Sequence, residues 1–196
     1  MTTPLLDVLD DLSELVGRIG PELASAPTPC AEFDLAALRQ HLLGWLTVFD
    51  AALADPEGAR PRPDASAHQV PGDPAEAAEQ VRQSAARIAA ALADGVAGRP
   101  VRLLGPDPLP GTMVIGMLTG EVIAHGWDLA RSAGLPWNPP TEACEAALAA
   151  LSGMLQPQYR GEGKPFGLEV AVADGADPLS RLVAFAGRDP EWVAAG

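Results

Sequence analysis

From Met113 to Asp128 the chain is apolar almost without interruption, yet it carries Glu121 and His125 four residues apart. A helix turns through about 100° per residue, so positions i and i+4 stand side by side on one face. An ionised carboxylate buried among Met113, Ile115, Met117, Val122 and Ile123 is strongly unfavourable unless a cation or several donors face it. The fold therefore has to bring something positive opposite Glu121.

The remaining elements read as helices separated by proline-rich loops. Apolar residues recur at helical spacing over about Leu5 to Leu23, and Asp34 is placed to cap a second helix running to about Ala54. That second helix has a stripe of Leu38, His41, Leu42, Trp45 and Phe49, in which His41 is the odd member. A third helix is predicted over about Ala75 to Asp94 and a fourth from near Thr112 to Ser132, stopped by Gly134. Thr141 to about Leu155 forms a fifth helix, with Pro139 and Pro140 at its start. Leu168-Glu169-Val170-Ala171-Val172 alternates as a strand or extended edge would, and Asp177-Pro178 opens a short helix to about Ala186. No repeat or sustained heptad is present. These elements predict an all-α, up-and-down four-helix bundle over residues 1–156, with an extra helix. Residues 157–196 add a small C-terminal α/β elaboration packed on the same domain.

A length of 196 residues with 47% hydrophobic content suits one domain, and a net charge of −13 gives no basic footprint for nucleic acid or anionic membranes. No apolar run is long enough to span a bilayer, because Glu121, His125, Asp128 and Arg131 interrupt the most apolar one. The N-terminus lacks the basic start and cleavage site of a signal peptide, so a cytoplasmic protein is expected. Two cysteines, Cys30 and Cys144, are too few for a disulfide framework or a thiolate zinc site.

His41, from the facing helix, is the natural third ligand beside Glu121 and His125. Two histidines and one carboxylate leave a coordination position open, as catalytic zinc requires, and the same donors also suit Ni2+, Fe2+ or Mn2+. The rival readings are a surface Glu/His pair and a core histidine at position 41. Asp128 could orient the His125 imidazole from behind the ligand atom or pair with Arg131. Trp45, Phe49, Met113 and Met117 could wall a pocket, although such a stripe also serves as plain core. Cys30 precedes a helix start but has no neighbouring histidine in the sequence, which gives a catalytic thiol little support. His68 lies in a polar loop with no expected role, and Gly161-Glu162-Gly163-Lys164 lacks the spacing of a phosphate loop.

Several motifs combine into a resemblance that spans nearly the whole chain. They are Thr28-Pro29-Cys30 with Leu38-Arg39-Gln40-His41, Leu109-Pro110-Gly111-Thr112, Glu121 through Ala130, and Gly187-Arg188-Asp189-Pro190-Glu191-Trp192. Together they resemble an actinobacterial family of the DinB-like superfamily, similar to the metal-binding domain of mycothiol-dependent maleylpyruvate isomerase. The resemblance implies a four-helix bundle with a divalent metal, usually zinc, held by His41, Glu121 and His125 at its open end. The central Glu is closer to the mycothiol-linked branch than to the three-His branch.

Three functions follow as expectations. The first is a metal-dependent S-transferase or isomerase that activates a low-molecular-weight thiol, such as mycothiol, towards an electrophilic substrate. The second is a hydrolase using metal-bound hydroxide, with Asp128 as an added base. The third is a non-catalytic ligand-binding or stress-response module. A monomer and a homodimer are both compatible with the sequence.

Overall fold

The computed structural model describes residues 4–164 and 166–194, so the start of the N-terminus read above, Met1 to Thr3, lies outside the described residues. The helix signals map closely onto what forms. Among the described residues there are six α-helices: α1 (Pro4–Val16), α2 (Leu35–Ala54), α3 (Pro74–Ala93), α4 (Gly111–Ala133), α5 (Thr141–Met154) and α6 (Pro178–Phe185). Asp34, Asp73 and Asp177 cap α2, α3 and α6 by accepting hydrogen bonds from backbone N–H groups of the first turn. Gly134 closes α4 in the left-handed conformation expected of it.

The first helix is shorter than its periodicity predicts. It stops at Val16 because Gly17, Gly20 and Pro21 follow, and Pro21–Leu23 forms only a 3-10 turn. Ile19 nevertheless remains fully buried, which is why the apolar pattern ran past the true end.

Helices α1 and α2 each pack against both α3 and α4, which makes a four-helix ring in the order α1, α3, α2, α4. The expected up-and-down order would instead have placed α1 beside α2. Residues 17–34 are long enough to carry the chain across the end of the bundle, and no sequence pattern reports that choice. Helix α5 lies on the outer side of α4, and α6 packs on α5. The core includes Leu9, Leu12, Leu38, Leu42, Ile88, Leu118 and Val122, all fully buried.

Of the strand or extended edge expected at Leu168–Val172, no strand forms. The only sheet among the described residues pairs β1 (Pro100–Val101) with β2 (Leu109–Pro110) antiparallel. Residues 168–172 run along α6 with a single backbone bond, Val170 N–H to the Ala184 carbonyl. Leu168 is 71% exposed, so the alternation there does not mark a buried face. The C-terminal elaboration is therefore helical and irregular rather than α/β.

The middle of α4 is locked against the segment that follows it. Trp137 is buried, donates its indole N–H to the Ile123 carbonyl at 3.1 Å, and lays its ring on Gly126. A Cβ at Gly126 would lie 2.8 Å from two atoms of that ring. Replacing a mid-helix glycine by alanine would otherwise gain about 1 kcal/mol in helix propensity. Here overpacking of about 1–3 kcal/mol opposes it. Gly126→Ala is expected to be destabilising on balance, read as a lower urea midpoint at unchanged slope; an unchanged or raised midpoint would show that Trp137 can move aside.

Candidate metal centre

Helical spacing on α4 places Glu121, His125 and Asp128 on adjoining turns, and α2 brings His41 across from them. The Glu121 Oε1 atom lies 3.3 Å from His41 Nε2 and 3.5 Å from His125 Nε2. One ligand atom from each of the three residues falls within 4.8 Å of the others, and no further His, Cys, Asp or Glu joins this group among the described residues. Two donors each about 2.1 Å from a tetrahedral ion stand about 3.4 Å apart. The spacings from Glu121 to each histidine are of that size.

The hydrogen bonds behind the cluster decide what it can hold. His125 Nδ1 lies 3.0 Å from Asp128 Oδ2, and a carboxylate there is served by an Nδ1–H donor. In the neutral imidazole Nε2 would then present a bare lone pair towards Glu121, so that acceptors would converge on one point. A proton could relieve one pair of them, whereas a divalent ion would serve all three residues at once. The donor set fits such an ion.

Asp128 is fully buried and takes a second partner that the sequence did not announce. Arg188 follows α6 and is itself buried; its Nη2 donates to Asp128 Oδ2 at 3.0 Å and its Nη1 to the Ala186 carbonyl at 2.9 Å. Burial alone would raise the Asp128 carboxyl, but Arg188 and His125 outweigh it and hold it below the usual carboxylate range. Glu121 behaves alike: burial opposes its charge, while His125, His41 and Arg188 favour it and lower its pKa on balance. The alternative partner for Asp128, Arg131, instead lies over the Trp127 ring and donates to the Pro190 carbonyl.

The cluster opens into a cavity of about 420 Å³. Helix α2 lines it with His41, Trp45 and Phe49, and α4 with Met117, Gly120, Glu121, Ala124 and His125. Leu151, Met154 and Leu155 from the end of α5 form another wall, and Leu103 with Leu104 comes from the loop before α4. Tyr159, Phe166, Ala186 and Arg188 are contributed by the C-terminal segment, and Cys30, Glu32 and Phe33 by the loop before α2. Trp45, Phe49 and Met117 thus line the pocket as the sequence suggested, but Met113 does not. It lies eight residues before Glu121, about 12 Å along the helix axis, beyond the cavity.

Cys30 faces the cavity without the marks of an activated thiol. Burial pushes its pKa up, and Arg188 offsets this only in part. His68 is held by Gln80 at 2.8 Å, far in sequence from the other histidines and outside the cluster. Arg188 stands in the Gly187–Trp192 motif, where nothing in the sequence marks it as a site residue. It stands 63 positions from His125, and no periodicity links them.

Residues 5–130 match the family described as the mycothiol maleylpyruvate isomerase N-terminal domain. The chain belongs to this family, a DinB-like one. It is also 30% identical to uncharacterized proteins from two strains of Mycobacterium tuberculosis, over 91% of this chain and 92% of each of theirs. No solved structure matches the chain significantly. Among the described residues, no helix is long and apolar enough to cross a membrane.

Removing one partner of the buried Asp128–Arg188 pair strands the other. Asp128→Ala is expected to lower the unfolding free energy by about 3–5 kcal/mol, because the buried Arg188 guanidinium would lose its counter-charge. Adding Arg188→Met should recover much of that loss. A double-mutant cycle by urea denaturation measures it, and strictly additive losses would show that the pair is not coupled.

Proposed function

We propose that this protein is a metal-dependent enzyme that activates a low-molecular-weight thiol of the mycothiol type, as an S-transferase or isomerase acting on an electrophilic substrate. The observation that carries this reading is the convergence of His41, Glu121 and His125 at the edge of an apolar cavity, with no fourth protein donor among the described residues. Family membership supports it independently. Zn2+ is the ion we favour, because borderline softness suits both imidazole and a thiol ligand.

A divalent ion held by these residues would favour the deprotonated form of a thiol reaching it, making a thiolate available near neutral pH. The chain supplies the rest. Glu121 brings the negative charge that anchors a cation, and Asp128 holds the His125 ring so that Nε2 faces inward. Arg188 keeps Asp128 ionised and ties the C-terminal segment to the site. Trp45, Phe49, Met117 and Leu151 exclude water from the place where an electrophile would lie. Because Tyr159, Phe166, Ala186 and Arg188 form part of the cavity wall, we take residues 157–196 as an elaboration of the bundle of residues 1–156 rather than a separate unit. We also take the protein to act in the cytoplasm.

The hydrolase reading needs a base beside the open position, and Asp128 is not free to be one. It is buried behind the imidazole and shared between His125 and Arg188.

Glu121→Ala is expected to abolish stoichiometric zinc binding while preserving the helical circular dichroism, since the two remaining imidazoles are neutral donors. Elemental analysis after dialysis reads this out, and full zinc content in the variant would remove Glu121 from the site. In the zinc-loaded wild type, a small thiol should bind with release of a proton and more tightly as pH rises towards the thiol's own pKa. Calorimetry in two buffers of different ionisation enthalpy measures that release; binding without it would overturn thiol activation.

A further inference from the structure

The charges around the cavity narrow the class of electrophile it can accept. Apart from the His41, Glu121 and His125 cluster, the only charged side chains lining it among the described residues are Glu32 and Arg188. Arg188 is the one cation, and its guanidinium is already committed to Asp128 and to the Ala186 carbonyl. A substrate carboxylate would have to compete with a fully buried counter-ion for it. Glu32 adds a negative charge at the exposed rim. The two positive charges of a divalent ion and that of Arg188 are matched by Glu121, Asp128 and Glu32, so a thiolate at the site leaves the pocket net negative. The net charge of −13 on the whole chain acts in the same direction at longer range. Most of the remaining surface is hydrocarbon and aromatic ring, from Phe33, Trp45, Phe49, Met117, Met154 and Phe166 among others, beside the thiol-bearing Cys30 and the phenol-bearing Tyr159.

We propose that this cavity takes a neutral, apolar electrophile with an aromatic or branched-alkyl body, and that it rejects dicarboxylates. The inference rests on the thiol-activating reading above for the reaction, and on the cavity wall alone for the ligand class. In a displacement of this kind the thiolate sulfur forms a new bond to the electrophilic carbon. The leaving group departs with the electrons of the bond that breaks, and the thiol's proton passes to solvent.

Two measurements on the zinc-loaded full chain separate the ligand class from the reaction. In calorimetric titrations naphthol, a neutral unreactive aromatic, should bind at least about tenfold more tightly than maleate. Trp45→Ala and Met154→Lys should each weaken naphthol by about tenfold or more at unchanged zinc content, and Met154→Lys should improve maleate binding. Maleate binding as tightly as naphthol, or naphthol binding undiminished in both variants, would overturn the proposal. Thiol transfer is then compared between chlorodinitrobenzene and a dicarboxylate acceptor. Faster transfer to the dicarboxylate overturns this proposal while thiol activation stands. Naphthol binding with no transfer to either acceptor upholds the apolar ligand class and counts against thiol activation.

Discussion

The Asp128 carboxylate is the constraint on which the rest of the site depends. A fully buried negative charge survives folding only with partners, and it has two, from distant parts of the chain. His125 reaches it from one turn earlier on α4, and Arg188 from beyond α6. One group thereby does two jobs. It fixes the tautomer and direction of the imidazole that faces Glu121, and it pins the C-terminal segment over the end of the bundle. The orientation of the histidine and the closure of the cavity cannot vary independently, because both are held by the same carboxylate.

Packing of α5 on α4 makes room for the cavity. Gly120 lets Leu151 of α5 approach until a methyl group at that position would meet the leucine at 3.1 Å. Helix α5 is thus drawn close to α4 just short of its own C-terminus. Its last residue, Met154, and Leu155 just beyond it then extend past the cluster as a wall instead of filling the core. The apolar lining consequently does not collapse into the bundle, and the ionisable face of α4 stays next to it. Glu121 keeps 23% of its side-chain exposure, on a carboxylate that burial alone would oppose.

Much of this was legible in the sequence, and what was not has identifiable physical causes. Helices were readable because 3.6-residue periodicity, aspartate caps and the glycine at position 134 are local signals that tertiary packing left intact. The Glu121/His125 pair was readable for the same reason, and His41 because a polar ring on an apolar stripe needs a partner. The ring order of the bundle depends on where residues 17–34 travel, which periodicity cannot report. The false strand at Leu168–Val172 shows the limit of alternation: the pattern carries no information about whether a second strand exists to bury one face. Met113 was misplaced because sharing a helix face with Met117 says nothing of how far along the axis a pocket extends. Arg188 was out of reach because a buried ion pair between remote residues leaves no periodic trace.

The same electrostatics sets a boundary on chemistry in this scaffold. Attraction of an anionic substrate would have to come from the cluster itself, since the chain as a whole is strongly acidic and fields from surface charges fade over about 8 Å at physiological ionic strength. Among the described residues lining the cavity, Arg188 is the only arginine or lysine, and Asp128 neutralises it. Freeing Arg188 for a substrate would release Asp128, and with it the hydrogen bond that aims His125. Anion recognition and imidazole orientation therefore compete for one guanidinium in this chain. A site that keeps the orientation has to gain affinity from its hydrocarbon and aromatic walls, whose attraction grows with the apolar area removed from water and needs no counter-charge.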